Sequence, residues 1–227
     1  MPMPRKITKK ELKEPDFLQV EMGKVLTFFQ RHKDRLYLIG SVVLLLIVIA
    51  AGWTLYRMNY NKSAFELYNQ VGKMAAATKP GAESQKLIEG YKNVTLKYPR
   101  SQAAWYASYE LGKEYFNLNQ FDLSLKAYGE FLRQSAQNNF LRVFAYTGQG
   151  YCYEAKKDFK KALLSFETAL KVPEGKDFAG QIYRDIARVY EETNDPKKAL
   201  EYYRKALDKT TDRTWQEMLK RKIASLG

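Results

Sequence analysis

The sequence predicts an all-α protein: one N-terminal transmembrane helix, then a superhelix of about four helical hairpins closed by a C-terminal capping helix. Three observations carry this. An apolar stretch of 21 residues without a charge separates Arg35 from Arg57. Behind it, three segments place small and aromatic residues at the same offsets. Within each segment the apolar positions recur with the period of a helix. The chain divides accordingly into residues 1–35, a basic cytoplasmic tail with a short amphipathic helix; 36–56, the transmembrane helix; and 57–227, the repeat domain.

Residues 1–14 are polar and basic, with Pro2 and Pro4, and are expected to be mobile. A helix is predicted to start at Pro15-Asp16, with Leu18, Met22, Val25 and Phe29 on one face. It either lies on the cytoplasmic leaflet or extends the transmembrane helix. In the next element, 12 of 21 residues are Leu, Ile or Val, and Tyr37, Trp53 and Tyr56 stand near its ends, where interfacial aromatics belong. Twenty-one helical residues rise about 31 Å, close to the roughly 30 Å hydrocarbon core of a bilayer. Thirty-five residues precede the stretch and Trp53, Leu55 and Tyr56 close it. Both features suit an uncleaved signal anchor better than a cleaved signal peptide. Residues 1–35 carry nine Lys and Arg, against three in residues 57–77. Basic flanks resist translocation, so the N-terminus is expected in the cytoplasm and the C-terminal domain across the membrane, in the periplasm of a bacterium.

The repeats are "YELGKEYFNLNQFDLSLKAYGEF" (109–131), "GQGYCYEAKKDFKKALLSFETAL" (148–170) and "RDIARVYEETNDPKKALEYYRKAL" (184–207). Aligned on Ser124, Ala162 and Ala199, they hold Gly112, Gly150 and Ala187 twelve positions earlier, and Tyr115, Tyr153 and Tyr190 nine positions earlier. Tyr128, Phe166 and Tyr203 follow four positions later. Small residues let two helices approach, aromatics fill the groove beside them, and Asn, Asp and Pro stand where the chain reverses. A weaker unit precedes these, with "KSAFELYNQVGKMAAA", the loop "TKPGAES" and a second helix holding Tyr91 and Val94. Its first helix is expected to run on almost directly from the membrane. Trp215, Leu219, Ile223 and Leu226 form the apolar side of the cap, with Lys220 and Arg221 outward.

These offsets resemble the tetratricopeptide repeat family, a hairpin of roughly 34 residues with alternating large, small and aromatic positions. Leu111-Gly112-Tyr115-Phe121-Ser124-Tyr128-Phe131 matches, with Ser124 where Ala is usual. So does Gln149-Gly150-Tyr153-Phe159-Ala162-Phe166-Ala169, with Gln149 where Leu is usual. Ile186-Ala187-Tyr190-Pro196-Ala199-Tyr203-Ala206 departs at Pro196. The layout of tail, span and exported repeats resembles YfgM-type ancillary subunits of the bacterial Sec translocon. The resemblance implies a scaffold that binds other proteins or peptides, such as translocon or envelope-assembly components, with no nucleic acid and no small-molecule substrate. It implies a concave face lined by the first helix of each hairpin. Tyr106, Tyr109, Lys113, Phe144, Thr147, Tyr151, Arg184 and Arg188 take the outward positions there. Tyr and Arg are the residue types that most often dominate binding energy. Tyr106 and Phe144 equally suit packing between adjacent hairpins. The family's clamp for a partner's carboxylate is not found at matching positions. The alternative is a membrane import receptor with cytosolic repeats.

Other classes find little support. The net charge is +13, but 20 acids are interspersed with the bases beyond the span, which suits a solvated mixed-sign surface. The single cysteine, Cys152, forms no intrachain disulfide and reads as a packed thiol. The single histidine, His32, has no Cys or His partner for zinc and no Ser partner for catalysis. No phosphate loop or paired-carboxylate motif occurs, so neither an enzyme nor a cofactor is expected.

Overall fold

A computed structural model describes residues 17–77, 83–137 and 139–227. The tail at 1–14, the helix start at Pro15-Asp16 and most of the loop at 78–84 fall outside these residues. The described residues form ten α-helices and one 3-10 turn, with no strand among them. Two compact units meet inside the second helix, Met1–Met58 and Asn59–Gly227.

The first unit holds α1 (Phe17–Arg31) and the N-terminal part of α2 (Lys33–Ala77). The backbone ladder passes through His32: its N–H donates to the Phe28 carbonyl at 3.1 Å, and its own carbonyl accepts from Leu36 at 2.9 Å. The backbone hydrogen bonding is thus continuous from α1 into α2. Met22 is exposed; the side chains of Leu18, Val25 and Phe29 lie outside the description. The apolar window of α2 is wholly unburied, and α2 is long and apolar enough to cross a membrane. The limits read from the sequence at 35/36 and 56/57 both fall within this one helix.

The second unit stacks hairpins. The C-terminal part of α2 supplies Ala64 and Val71 to a core with Leu87, Ile88, Tyr91 and Val94 of α3 (Ser84–Lys97). Then come α4 (Gln102–Asn117) with α5 (Phe121–Gln134), α6 (Leu141–Ala155) with α7 (Phe159–Lys171), and α8 (Ala179–Glu192) with α9 (Pro196–Lys209). The cap is α10 (Arg213–Leu226). It buries Leu219 and half-buries Ile223 and Leu226, but Trp215 stays 43% exposed, against expectation. The reason is a better partner outside the core: the Arg184 guanidinium lies 4.0 Å over its ring.

The hairpins close at side-chain-free notches. A Cβ on Gly112 would stand 2.6 Å from the Tyr128 ring, and one on Gly150 would stand 2.5 Å from the Phe166 ring. Tyr128 is gripped from the far side as well, because a Cβ on Gly148 would also come within 2.6 Å of it. This one ring therefore joins its own hairpin to the next. Ser124, the departure from Ala, donates to the Gly112 carbonyl at 2.7 Å and accepts from the Cys152 thiol at 3.1 Å. Cys152 is thus a packed thiol, and burial pushes its pKa up.

The three turns within these hairpins share one geometry. Asn119, Lys157 and Asn194 take positive φ of 58°, 60° and 56°. The residue after each donates its N–H back to Tyr115, Tyr153 or Tyr190 at 2.8–2.9 Å. Asp158 and Asp195 then cap α7 and α9 through the N–H groups of Lys161 and Lys198. Left-handed backbone costs an L-residue roughly 1–2 kcal/mol, and Asn tolerates it better than Lys. Lys157→Asn should therefore raise stability by about 0.5–1 kcal/mol. Thermal or denaturant unfolding followed by circular dichroism checks this, and an unchanged or lowered midpoint contradicts it.

Candidate functional site

The eight residues singled out from the sequence stand on α4, α6 and α8, the first helices of three hairpins. They fall into three sets. Tyr106 and Phe144 bridge neighbours: the Tyr106 ring lies 6.3 Å from both Phe65 and Tyr68, and Phe144 lies 4.7 Å from Phe178. Both remain half-buried. Thr147 is buried at 6% exposure and spends its hydroxyl on the Phe144 carbonyl at 3.0 Å, so it offers a partner little.

Tyr109 and Lys113 form the second set. The Tyr109 ring packs 5.9 Å from Tyr128 and 5.5 Å from Phe131. The Lys113 ammonium stands 5.8 Å above it while pairing with Glu110 at 2.7 Å. Asn117 does stand one turn beyond Lys113 on α4, but Lys113 is already engaged by that acid.

Tyr151, Arg184 and Arg188 form the third and densest set. Tyr151 donates its hydroxyl to Asp185 Oδ2 at 2.6 Å. Arg188 forks onto Glu154 at 2.7 and 2.8 Å and reaches Asp185 Oδ1 at 2.9 Å, with its guanidinium 5.6 Å from the Tyr151 ring. Arg184 approaches Asp185 at 3.6 Å. Asp185 has no exposed surface, and burial pushes its carboxyl up against the pull of Tyr151 and the two arginines. A bidentate carboxylate holds Arg188 firmly protonated. Asp185, the one wholly buried member, needs its oxygens satisfied, and the Tyr151 hydroxyl and the Arg188 guanidinium supply those bonds. Here the network fixes α8 against α6 and presents a planar cation beside aromatic rings. A cavity of about 550 Å³ opens there, lined by Phe116, Tyr151, Phe159 and Arg188 among others. A second, of about 400 Å³, lies between the start of α8 and the start of α10, where Phe178, Arg184 and Trp215 meet.

Sequence reasoning missed Asp185, Glu154, Phe178 and Trp215. The repeat register points to neither contact within the network: Tyr151 and Asp185 are 34 residues apart, as are Glu154 and Arg188, short of the 37 that separate matching places on α6 and α8. No group of three or more metal-ligating residues occurs among the described residues.

This geometry is that of a helical-repeat protein-interaction scaffold. The tetratricopeptide repeat-like domain family matches residues 27–227, and the chain belongs to that family. Among solved structures, a Podospora anserina protein with nearly identical repeats of this type, described as a kinesin light chain, is 13% identical. The match covers 73% of this chain and 84% of that one with a TM-score of 0.53, a likeness of fold. The N-terminal domain of stress-induced protein-1 from C. elegans is 16% identical over 52% of this chain and 94% of its own, with a TM-score of 0.46. No curated protein sequence matches the chain.

Burial, ahead of the charge on Glu110, pushes Tyr68 and Tyr109 up to about 12. Tyr91, Tyr128, Tyr151 and Tyr203 are raised further, again mainly by burial. The folded state therefore holds these protons more tightly than the unfolded chain, whose tyrosines ionise near about pH 10. The stability they contribute is complete below about pH 10 and is lost as pH rises toward 12. Helical circular dichroism should fall in that window together with a step in tyrosinate absorbance. Full ionisation near pH 10 with the helical signal intact contradicts this reading.

Proposed function

We propose that the chain is a membrane-tethered scaffold whose repeats hold other polypeptides on the face formed by α4, α6 and α8. The observation that carries this is the convergence of half-buried tyrosines and partly solvated arginines on successive first helices, in a family built to bind proteins and peptides. Aromatic rings and guanidinium groups held by neighbours lose little freedom when a partner arrives. The apolar stretch of α2 inserts in the inner membrane, and the excess of basic residues before it keeps the N-terminus in the cytoplasm. The repeat domain then lies in the bacterial periplasm. Confinement beside the membrane raises its effective concentration toward membrane partners, for which the Sec translocon or an envelope-assembly complex is the proposed class. What supports the tether is the uncharged stretch of 21 residues and the exposed apolar surface of α2.

Two measurements test this. Protease added to intact cells should leave residues 57–227 whole and digest them once the outer membrane is opened. Digestion only after the inner membrane is lysed places the repeats in the cytosol and contradicts the topology. In affinity capture with the full chain, Arg184→Glu combined with Tyr109→Ala should lower recovery of envelope proteins at least tenfold. Equal recovery contradicts the assignment of the face.

A further inference from the structure

The three best-matched hairpins are not chemically equivalent at the start of their second helices. In the third and fourth, an Asp caps the helix and a Lys three residues on pairs with it: Lys161 with Asp158 at 2.7 Å, and Lys198 with Asp195 at 3.3 Å. Each Lys also stands over the repeat tyrosine, Lys161 at 5.5 Å from Tyr153 and Lys198 at 5.1 Å from Tyr190. This module covers the mouth of the hairpin with a paired charge.

The second hairpin lacks it. Gln120 stands at the capping place without a side-chain bond, and Leu123 replaces the lysine. Leu123 is 44% exposed. Its place beside Tyr115 is taken instead by Lys92 of α3, whose ammonium is 5.7 Å from that ring. The result is a groove of about 460 Å³ between α3 and α5, with Leu111, Tyr115 and Ala127 among its lining and Leu123 on its wall. Its charged lining is Lys92, Lys126 and Glu130. Glu130 is consumed by Arg133 at 2.6 Å and by Gln134. Lys92 and Lys126 form no ion pair among the described residues. On α4, Ser108, Leu111 and Tyr115 line this groove. By the helical period they face away from Tyr106, Tyr109 and Lys113, so this surface is separate from the one described above.

We propose that this groove docks an acidic, amphipathic helical segment of a partner polypeptide. An apolar side chain of that segment enters between Leu123, Leu111 and Tyr115, and its carboxylates meet Lys92 and Lys126. Charge complementarity selects the occupant: the groove offers two cations outside any ion pair among the described residues, one of them over the Tyr115 ring, and its one acid is already paired with Arg133.

The test uses the full chain in detergent micelles and a fluorescein-labelled synthetic peptide with Leu at helical spacing and Glu elsewhere. Blank micelles correct for partition into detergent. Saturable binding is expected, weakened at least tenfold by Leu123→Lys, by Lys126→Glu and by exchanging the peptide's Glu for Gln. Leu164→Lys, at an exposed leucine of α7 outside the groove, should leave binding unchanged. Leu123→Lys installs the residue already present at the matching place in α7 and α9, and unaltered circular dichroism confirms that it folds. No saturable binding, or binding that the two groove variants leave within twofold, overturns the proposal. A dimer that Leu123→Lys dissociates, without peptide binding, makes a second copy the occupant and overturns it as well.

Discussion

Three of the hairpins close where an aromatic ring of the second helix packs against a place on the first helix that carries almost no side chain. Tyr128 on Gly112, Phe166 on Gly150 and Tyr203 beside Ala187 are the three instances. The contact is steric before it is energetic. A Cβ at either glycine would come closer to the ring than van der Waals radii permit, so the ring fixes how near the helices approach and in what register. Everything else in the repeat domain follows from that spacing. The turns must reverse the chain within three residues, which places Asn119, Lys157 and Asn194 in the left-handed region. The next hairpin must then fit the outer side of the same ring, which Gly148 allows at Tyr128.

A repeated scaffold makes its departures informative. Where the pattern is kept, residues do structural work; where it is broken, another demand has intervened. Ser124 in place of alanine adds a hydroxyl that links Gly112 to Cys152 across two hairpins. Asp185, a buried carboxylate in an otherwise apolar helix face, ties α8 to α6 through Tyr151 and Arg188. Leu123 leaves an apolar wall where its counterparts carry a paired lysine. The proposed binding face and the proposed groove both sit at such departures, on opposite sides of α4.

Much of the architecture was legible because it is periodic. The offsets of small and aromatic residues identified the hairpins, and uniform apolarity identified the long helix. What escaped was non-periodic. Gly148 holds no repeat position, so its contact with Tyr128 required three dimensions. Trp215 read as core because its spacing matched Leu219 and Ile223, yet the pull of Arg184 holds it at the surface. Asp185 was not singled out, since sequence alone does not reveal that a tyrosine 34 residues earlier meets it. Phe116, at the last turn of α4, gained meaning only beside Tyr151, 6.4 Å away.

The claim that notch and ring set the helix spacing is tested most directly by a double-mutant cycle on Gly150 and Phe166. Filling a packed interior typically costs about 1–3 kcal/mol, so Gly150→Ala alone should destabilise by that order. In the background of Phe166→Leu, which removes the ring, the same alanine should cost at least 1 kcal/mol less, as roughly expected for residues in direct contact. Additivity of the two substitutions to within about 0.3–0.5 kcal/mol, the behaviour of independent sites, would contradict the account.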